Sequence, residues 1–346
     1  MHNYINGGIA MAATLQSILS KFLEAFGDSW DNTLAELGTR AGQLSLGNQL
    51  RPQICLLGYL TSVDSHDWEE ADFSKIADIS VSIELVHKAS LILDDWIDRD
   101  DKRHGIPTLH IETSPEQAVL LAIKMVGLSM HRLKTVFSSD TILPHHYFLC
   151  LDNLVKTIYS MASGAYRELV MTSSDMFNSV AIQEIARLET SEIIGNSLLL
   201  GYYAGIGDKR NPVVEEKLKA IGDQCGYIFQ VMNDMEAFSN PEKLIQHKGD
   251  LNLDIGQMRK NIVISLLYQV AGKRDKRKLE MGYSADLIAL TQKYKMIEYF
   301  TEEIRTEYRL LLEDARSLQA EGLSTDWCDL FCNFLELVKQ FAEARL

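Results

Sequence analysis

Leu93–Gly105 reads LDDWIDRDDKRHG, with five aspartates inside eight positions and three basic residues directly after them. The residues before it, Ile76–Ile97, repeat apolar side chains at helical spacing, among them Ile79, Ile83, Val86, Leu91 and Ile97. The acids therefore sit at the tip of an apolar helix, which Gly105 and Pro107 predict to end shortly after Asp101. Asp94 and Asp98 are four apart and share one helix face, with Asp95 about 100° round. Carboxylates at a helix C-terminus meet the negative end of its dipole, at a cost of some tenths of a kcal/mol each, and they repel one another. A bound cation removes both penalties. An acidic run in general reads as a solvated turn; one emerging from a packed helix reads as a cation platform. The EF-hand alternative fails, because no start in this run supplies both the glycine at the sixth position and the glutamate at the twelfth. Magnesium suits the run, since it takes one or two carboxylates, keeps waters and shares phosphate oxygens. Lys102 and Arg103 stand where a phosphate would need them.

The same helical period runs through the rest of the 346 residues, over 15–26, 118–137, 146–171, 182–204, 213–238, 260–271, 284–315 and 325–344. Turn chemistry separates these segments at HGIPT (104–108), SSDTILP (138–144), GDKRNP (207–212) and SNPEK (239–243). Six widely spaced prolines permit long helices, and alternating strand patterns are almost absent. The expected architecture is all-α: one domain over 15–346, about ten helices around a deep apolar central cavity, preceded by an irregular start over 1–14. An apolar share of 46% supports a large core, and a net charge of −14 argues against nucleic-acid binding. No run reaches the roughly 18 apolar residues of a membrane span, and the N-terminus lacks the positive region of a signal peptide. Five cysteines without a disulfide spacing suit a reducing cytoplasm. The CDLFC pair faces one side of a helix and lacks the second pair that a metal site would need.

Read together, these motifs resemble the trans-isoprenyl diphosphate synthases. DDWID followed by RHGIP resembles that family's first aspartate-rich motif, DDxxD…RRGxP. LGNQLRP (46–52) resembles GGKRxRP, GAYREL (164–169) resembles GQxxDL, FQVMNDMEAF (229–238) resembles the second motif FQxxDDxxD, and DIGQMRKNIV (254–263) resembles DLxxGKxTLP. His87 lies seven before Asp94, where the family keeps a histidine for the homoallylic diphosphate. The resemblance implies an isoprenoid synthase fold, two or three Mg²⁺ ions, a prenyl diphosphate substrate and a homodimer. Carried over by position, Asp94, Asp98, Asn233 and Asp234 would hold metal. Asp94, Asp95, Asp98 and Arg103 would carry catalysis, and Arg51, His87, Arg103, His104, Gln230 and Arg259 would bind substrate.

Several positions depart from the pattern. The family's GGKRxRP lysine is Asn48, the second arginine of RRG is His104, the last aspartate of the second motif is Ala237, and a diphosphate-binding lysine is Glu189. Each charge-assisted bond lost from a phosphate costs about 1.5 to 3 kcal/mol. An intact first motif beside an eroded homoallylic site favours an enzyme that ionises an allylic diphosphate without isopentenyl diphosphate. Its cation would then cyclise, eliminate or meet another acceptor, as in terpene synthases on this scaffold. The alternatives are an ordinary chain-elongating synthase, since Arg51, His87, Arg103 and Arg259 remain, and a non-catalytic partner subunit. Ala89 and Ser90, five and four residues before Asp94, stand where bulky aromatics close the family's pocket, so a C15 to C20 or longer chain fits. Tyr202, Tyr203, Phe229 and Phe238 read as core aromatics.

Overall fold

The computed structural model describes residues 2–38, 44, 47–138, 145–172, 175–206, 210–239 and 260–343. Its first helix, α1, spans His2–Leu37, so the expected irregular start is helical, and the helix continues past the 26 that periodicity suggested. Leu15, Ile18, Phe22, Phe26 and Trp30 recur every three or four residues along it and are fully buried. α2 (Leu50–Leu60) carries the LRP end of the 46–52 motif, and α3 (Ser74–Asp98) ends in the acidic motif. After a one-turn helix, α4 (Leu109–Glu112), comes α5 (Pro115–Phe137). Ser114 caps α5 by accepting from the Gln117 N–H, with Pro115 at the first helical position, where its missing N–H costs nothing.

α6 (His145–Leu169) follows as expected, but the segment read as one helix over 182–204 is three pieces. α7 (Ser179–Ala186) passes through a π-helical turn at Arg187–Ser191 into α8 (Glu192–Ile206). α9 (Pro212–Ser239) carries the second motif and α10 (Ile262–Val270) follows Lys260. α11 (Lys273–Met281) had no apolar periodicity to announce it. The expected helix over 284–315 divides into α12 (Ser284–Lys293) and α13 (Met296–Ser317), because Lys295 adopts a left-handed φ of 53°. α14 (Thr325–Glu343) closes the described chain.

The result is a single all-α domain. Its only strands among the described residues are the two-residue pair Lys102–Arg103 and Ile106–Pro107. α8 is its buried centre, packed by α2, α6 and α9, while α3 lies against α1, α2 and α5. Gly58 and Gly201 let the α2 and α8 backbones touch: a Cβ on Gly201 would fall 1.7 Å from the Cys55 carbonyl oxygen, and one on Gly58 1.9 Å from that of Leu198. The Trp327 indole donates to the Leu57 carbonyl at 2.8 Å and ties α14 onto α2. All five cysteines are free and buried, and burial raises the Cys328 thiol to about 11, so it offers no thiolate at neutral pH. No described helix is long and apolar enough to cross a membrane.

Candidate active site

α3 stops at Asp98, three residues before the expected end, because Arg99 takes a left-handed φ of 59°. The Arg99 N–H then reaches the Trp96 carbonyl at 3.3 Å and the Asp100 N–H reaches that of Asp95 at 2.9 Å, the pattern of a Schellman cap. The chain reverses through a two-residue turn, His104 (φ 53°) and Gly105 (φ 78°), whose twist matches the short antiparallel pair that it joins. The Thr108 hydroxyl donates to the Asp100 carbonyl at 2.6 Å and holds this loop against the helix end.

That reversal folds Arg103 back over the acids. Its Nε donates to Asp95 Oδ1 at 2.8 Å, one terminal nitrogen lies 2.6 Å from the same oxygen, and Asp94 Oδ2 is 3.5 Å away. Asp95 is buried, and burial raises its carboxyl above the usual range against the pull of Arg103. Asp94 is more than half exposed and Asp98 partly so, four residues apart on one face. The three aspartates thus divide their work: Asp95 fixes Arg103, while Asp94 and Asp98 present oxygens outward. That donor set, two carboxylates on one edge with solvent beside them, fits magnesium. His104 is exposed at the turn.

Two turns further down α3 lies a second, basic group. Glu84 is buried with Lys88 Nζ 3.5 Å from its Oε1, and the Arg51 guanidinium acts on the same carboxylate. Burial raises Glu84, while both cations oppose the rise. The Arg51 Nε is enclosed and has no hydrogen-bond partner, as is the Gln49 Oε1 two residues earlier. His87 shares this environment. Burial first, then Arg51, Lys88 and Arg103, push its imidazole well below its ordinary value, so it is neutral near pH 7. The sequence singled out Arg51 and His87 here and missed Lys88; the signal was the Glu84–Lys88 pair, four apart inside an otherwise apolar helix.

The second motif is committed differently from expectation. Asp234 is buried, its Oδ1 accepting from Gln230 Nε2 at 2.7 Å and its Oδ2 from the Ile262 N–H at 2.7 Å. The Asn261 side chain caps α10 on the Ile264 N–H at 3.0 Å. Asp234 therefore anchors the start of α10, a structural role in addition to any metal contact, and Gln230 completes the chain by accepting from Thr190 Oγ1 at 2.7 Å. Asn233 is exposed beside them. Among the described residues no three His, Cys, Asp or Glu side chains gather closely enough to hold one ion.

Glu189 also finds its partner. It projects from the π-helical turn toward Gly164, where a Cβ would lie 2.5 Å from its Cγ, and pairs with Lys260. The same ammonium lies 2.7 Å from Glu168 of the GAYREL segment, and the Lys260 backbone N–H donates to Glu168 at 3.1 Å. Lys260 thus sits between two carboxylates, Glu168 and Glu189. Arg259 and the rest of 240–259 lie outside the described residues. Of the aromatics read as core, Tyr202, Tyr203 and Phe238 are buried. Phe229 is partly buried and lines a small apolar pocket with Ile228, Met232 and Leu335, between α9, α13 and α14 rather than beneath α3.

Comparison with known proteins shows the family and the fold. The polyprenyl synthetase family profile matches residues 39–300. The chain is 25% identical over 199 residues to a geranylgeranyl diphosphate synthase of Methanosarcina mazei, covering 58% of this chain and 57% of that one. It is 25% identical over 260 residues to the large subunit 1 of a chloroplastic heterodimeric geranylgeranyl pyrophosphate synthase of Arabidopsis thaliana, covering 72% and 67%. Among solved structures, the farnesyl diphosphate synthase of T. brucei superposes with a TM-score of 0.74 at 13% identity, covering 92% of this chain and 98% of that one. The geranylgeranyl pyrophosphate synthetase of Pyrococcus horikoshii gives 0.68 at 22% identity, covering 98% of each. These structural matches support the fold.

Proposed function

Since the chain belongs to the polyprenyl synthetase family, we propose that it is a prenyltransferase that lengthens an allylic prenyl diphosphate with isopentenyl diphosphate. The observation that carries this reading is the basic group beneath the acidic tip of α3, buried Lys88 with half-buried Arg51 and His87. An enzyme that only ionises one diphosphate has no use for a second enclosed anion site. The basic group therefore favours elongation over the sequence-based preference for ionisation without isopentenyl diphosphate. The two synthases of similar sequence, both named for geranylgeranyl diphosphate, point the same way.

Asp94 and Asp98 would hold magnesium, with Asn233 and Asp234 as further oxygens, and the metal would neutralise the charge that develops on the departing diphosphate. Arg103, fixed by Asp95, keeps its charge beside that diphosphate. Arg51 and the neutral His87 orient the co-substrate so that its double bond meets the allylic carbon in a dry apolar wall. Buried Ala89 and partly buried Ser90 leave room for a C15 to C20 or longer chain. We infer a homodimer as well, because Phe148, Val155, Tyr159 and Tyr166 form an exposed stripe at seven- and four-residue spacing along α6. Tyr159→Glu is expected to give monomers in sedimentation; an unchanged mass would reject this face.

A second reading, ionisation without isopentenyl diphosphate, draws on the commitment of Asp234 to α10. Incubation with Mg²⁺ and C10, C15 or C20 allylic diphosphates, with and without isopentenyl diphosphate, separates the two. Longer diphosphates formed only with the co-substrate support elongation. Hydrocarbon or alcohol formed without it supports the second reading, and inertness rescued by another protein would make this chain a partner subunit.

A further inference from the structure

We propose that α11 and its flanks form a docking surface for an anionic lipid bilayer. Lys273, Arg274 and Arg277 meet the headgroups, while Val270, Met281 and Tyr283 enter the interface beside them. The docking does not depend on the elongation reading, because its test uses no turnover.

Three observations carry it. The first is charge. The chain carries a net −14, yet residues 273–295 hold seven basic side chains against three acids. All three acids are engaged within the fold. Asp275 is buried, pairs with Lys293 and accepts from the Tyr294 hydroxyl at 2.9 Å. Asp286 lies 2.7 Å from Lys278, and Glu280 accepts from the Tyr268 hydroxyl at 2.7 Å. Lys276 stands over the Tyr268 ring, 4.8 Å from its centre. Lys273, Arg274 and Arg277 remain exposed, with no ion pair among the described residues.

The second is arrangement. Leu279 is fully buried and Asp275, four residues earlier, is tied inward, so one side of α11 is fixed to the fold. Arg274, Arg277 and Met281, at three- and four-residue spacing, share the solvent side. Lys273 and Arg277 are four apart and repel, and Lys273 and Arg274 open the helix at the positive end of its dipole. A helix kept only for solubility would gain more from acids there. An anionic surface laid against this face relieves both costs.

The third is apolar exposure on both flanks of the basic run. Val270, Met281 and Tyr283 are 55%, 63% and 60% exposed. A free phosphate has no use for them. A bilayer takes both parts of the surface, with lipid phosphates facing the bases and the boundary of the acyl chains receiving Met, Val and the amphipathic tyrosine ring. The contact is peripheral, since no described helix is long and apolar enough to cross a membrane.

The test is co-sedimentation of the full-length protein with vesicles of equal parts phosphatidylcholine and phosphatidylserine, beside vesicles of phosphatidylcholine alone. The parent is expected to bind the mixed vesicles at least about tenfold more tightly, and to lose that preference as salt is raised. Arg274→Gln with Arg277→Gln should weaken binding to mixed vesicles by about fivefold for each charge removed. Met281→Ser with Tyr283→Ser should weaken it as well. Arg309→Gln with Arg316→Gln, which removes the same charge from the exposed face of α13, should leave it within about twofold. Equal binding of the parent to both vesicles overturns the proposal. So does binding unchanged by either α11 pair, or a loss matched by the α13 pair. Two further controls locate another occupant and would equally overturn it. One is capture of the parent on immobilised polyglutamate without vesicle binding, which assigns the face to an acidic protein. The other is a fall in sedimenting mass of Arg274→Gln with Arg277→Gln when no vesicle is present, which assigns it to a second copy of the chain.

Discussion

Charge exchange between positions 189 and 260 tests the second acidic region. Lys260 is about 15% exposed and touches Glu168 and Glu189, which are about 25% and 16% exposed. Lys260→Met leaves two carboxylates facing each other in a half-buried space. Breaking a buried pair costs about 3 to 5 kcal/mol. Residual exposure and screening reduce that to about 2 to 3 kcal/mol here. Glu189→Lys is expected to cost about 1 to 2 kcal/mol, since the new ammonium opposes Lys260 but keeps Glu168 as partner. The exchange Glu189→Lys with Lys260→Glu re-forms the same set of charges, so the double variant should recover most of the loss. With Lys260→Glu as the second single variant, urea unfolding followed by circular dichroism supplies the four stabilities of the cycle (parent, the two charge reversals and the double variant), and a coupling of at least about 1 kcal/mol is predicted. Additive losses, or single variants within about 0.5 kcal/mol of the parent, would refute the coupling of Lys260 to Glu168 and Glu189.

Other consequences follow from single side chains. Asp94→Ala and Asp98→Ala should each lower kcat at least a hundredfold with the fold intact, whereas Asp95→Ala should also destabilise the protein by stranding Arg103; turnover and melting curves check both. The His87 imidazole is held well below its ordinary value, so its unfolded form binds protons first as pH falls. Stability attributable to it is present above about pH 6.5 and is lost below, and His87→Gln should flatten that acid limb of the pH–stability curve. Ser90→Phe should shorten the longest product by at least one C5 unit, read by chromatography of the dephosphorylated alcohols; an unchanged product would place the floor of the cavity elsewhere.

Much of this was legible in the chain. The apolar run into DDWID announced α3, and the spacing of His87 to Asp94 located the basic group, because both are local patterns on one helix. The left-handed Arg99 was hidden, since a non-glycine residue rarely takes that conformation, and so the helix ends three residues early. α11 was missed because KRDKRKLEM offers only Leu279 and Met281 as apolar residues, and its Asp275 is tied to Lys293 and Tyr294 across the fold. The break at Lys295 has no glycine or proline to mark it. The partner of Glu189 lies 71 positions on and depends on a π-helical turn beside Gly164, information that exists only in three dimensions. Asp234 was assigned to metal from its motif alone, and its bond to the Ile262 N–H depends on where α10 begins.

The most direct test of chain elongation is the stoichiometry of inorganic pyrophosphate release with Mg²⁺ and an allylic diphosphate, measured against labelled isopentenyl diphosphate consumed. Each condensation joins two diphosphates and frees one pyrophosphate, so the account predicts one released per isopentenyl unit incorporated and none without it. Pyrophosphate released at the same rate when isopentenyl diphosphate is left out would contradict it.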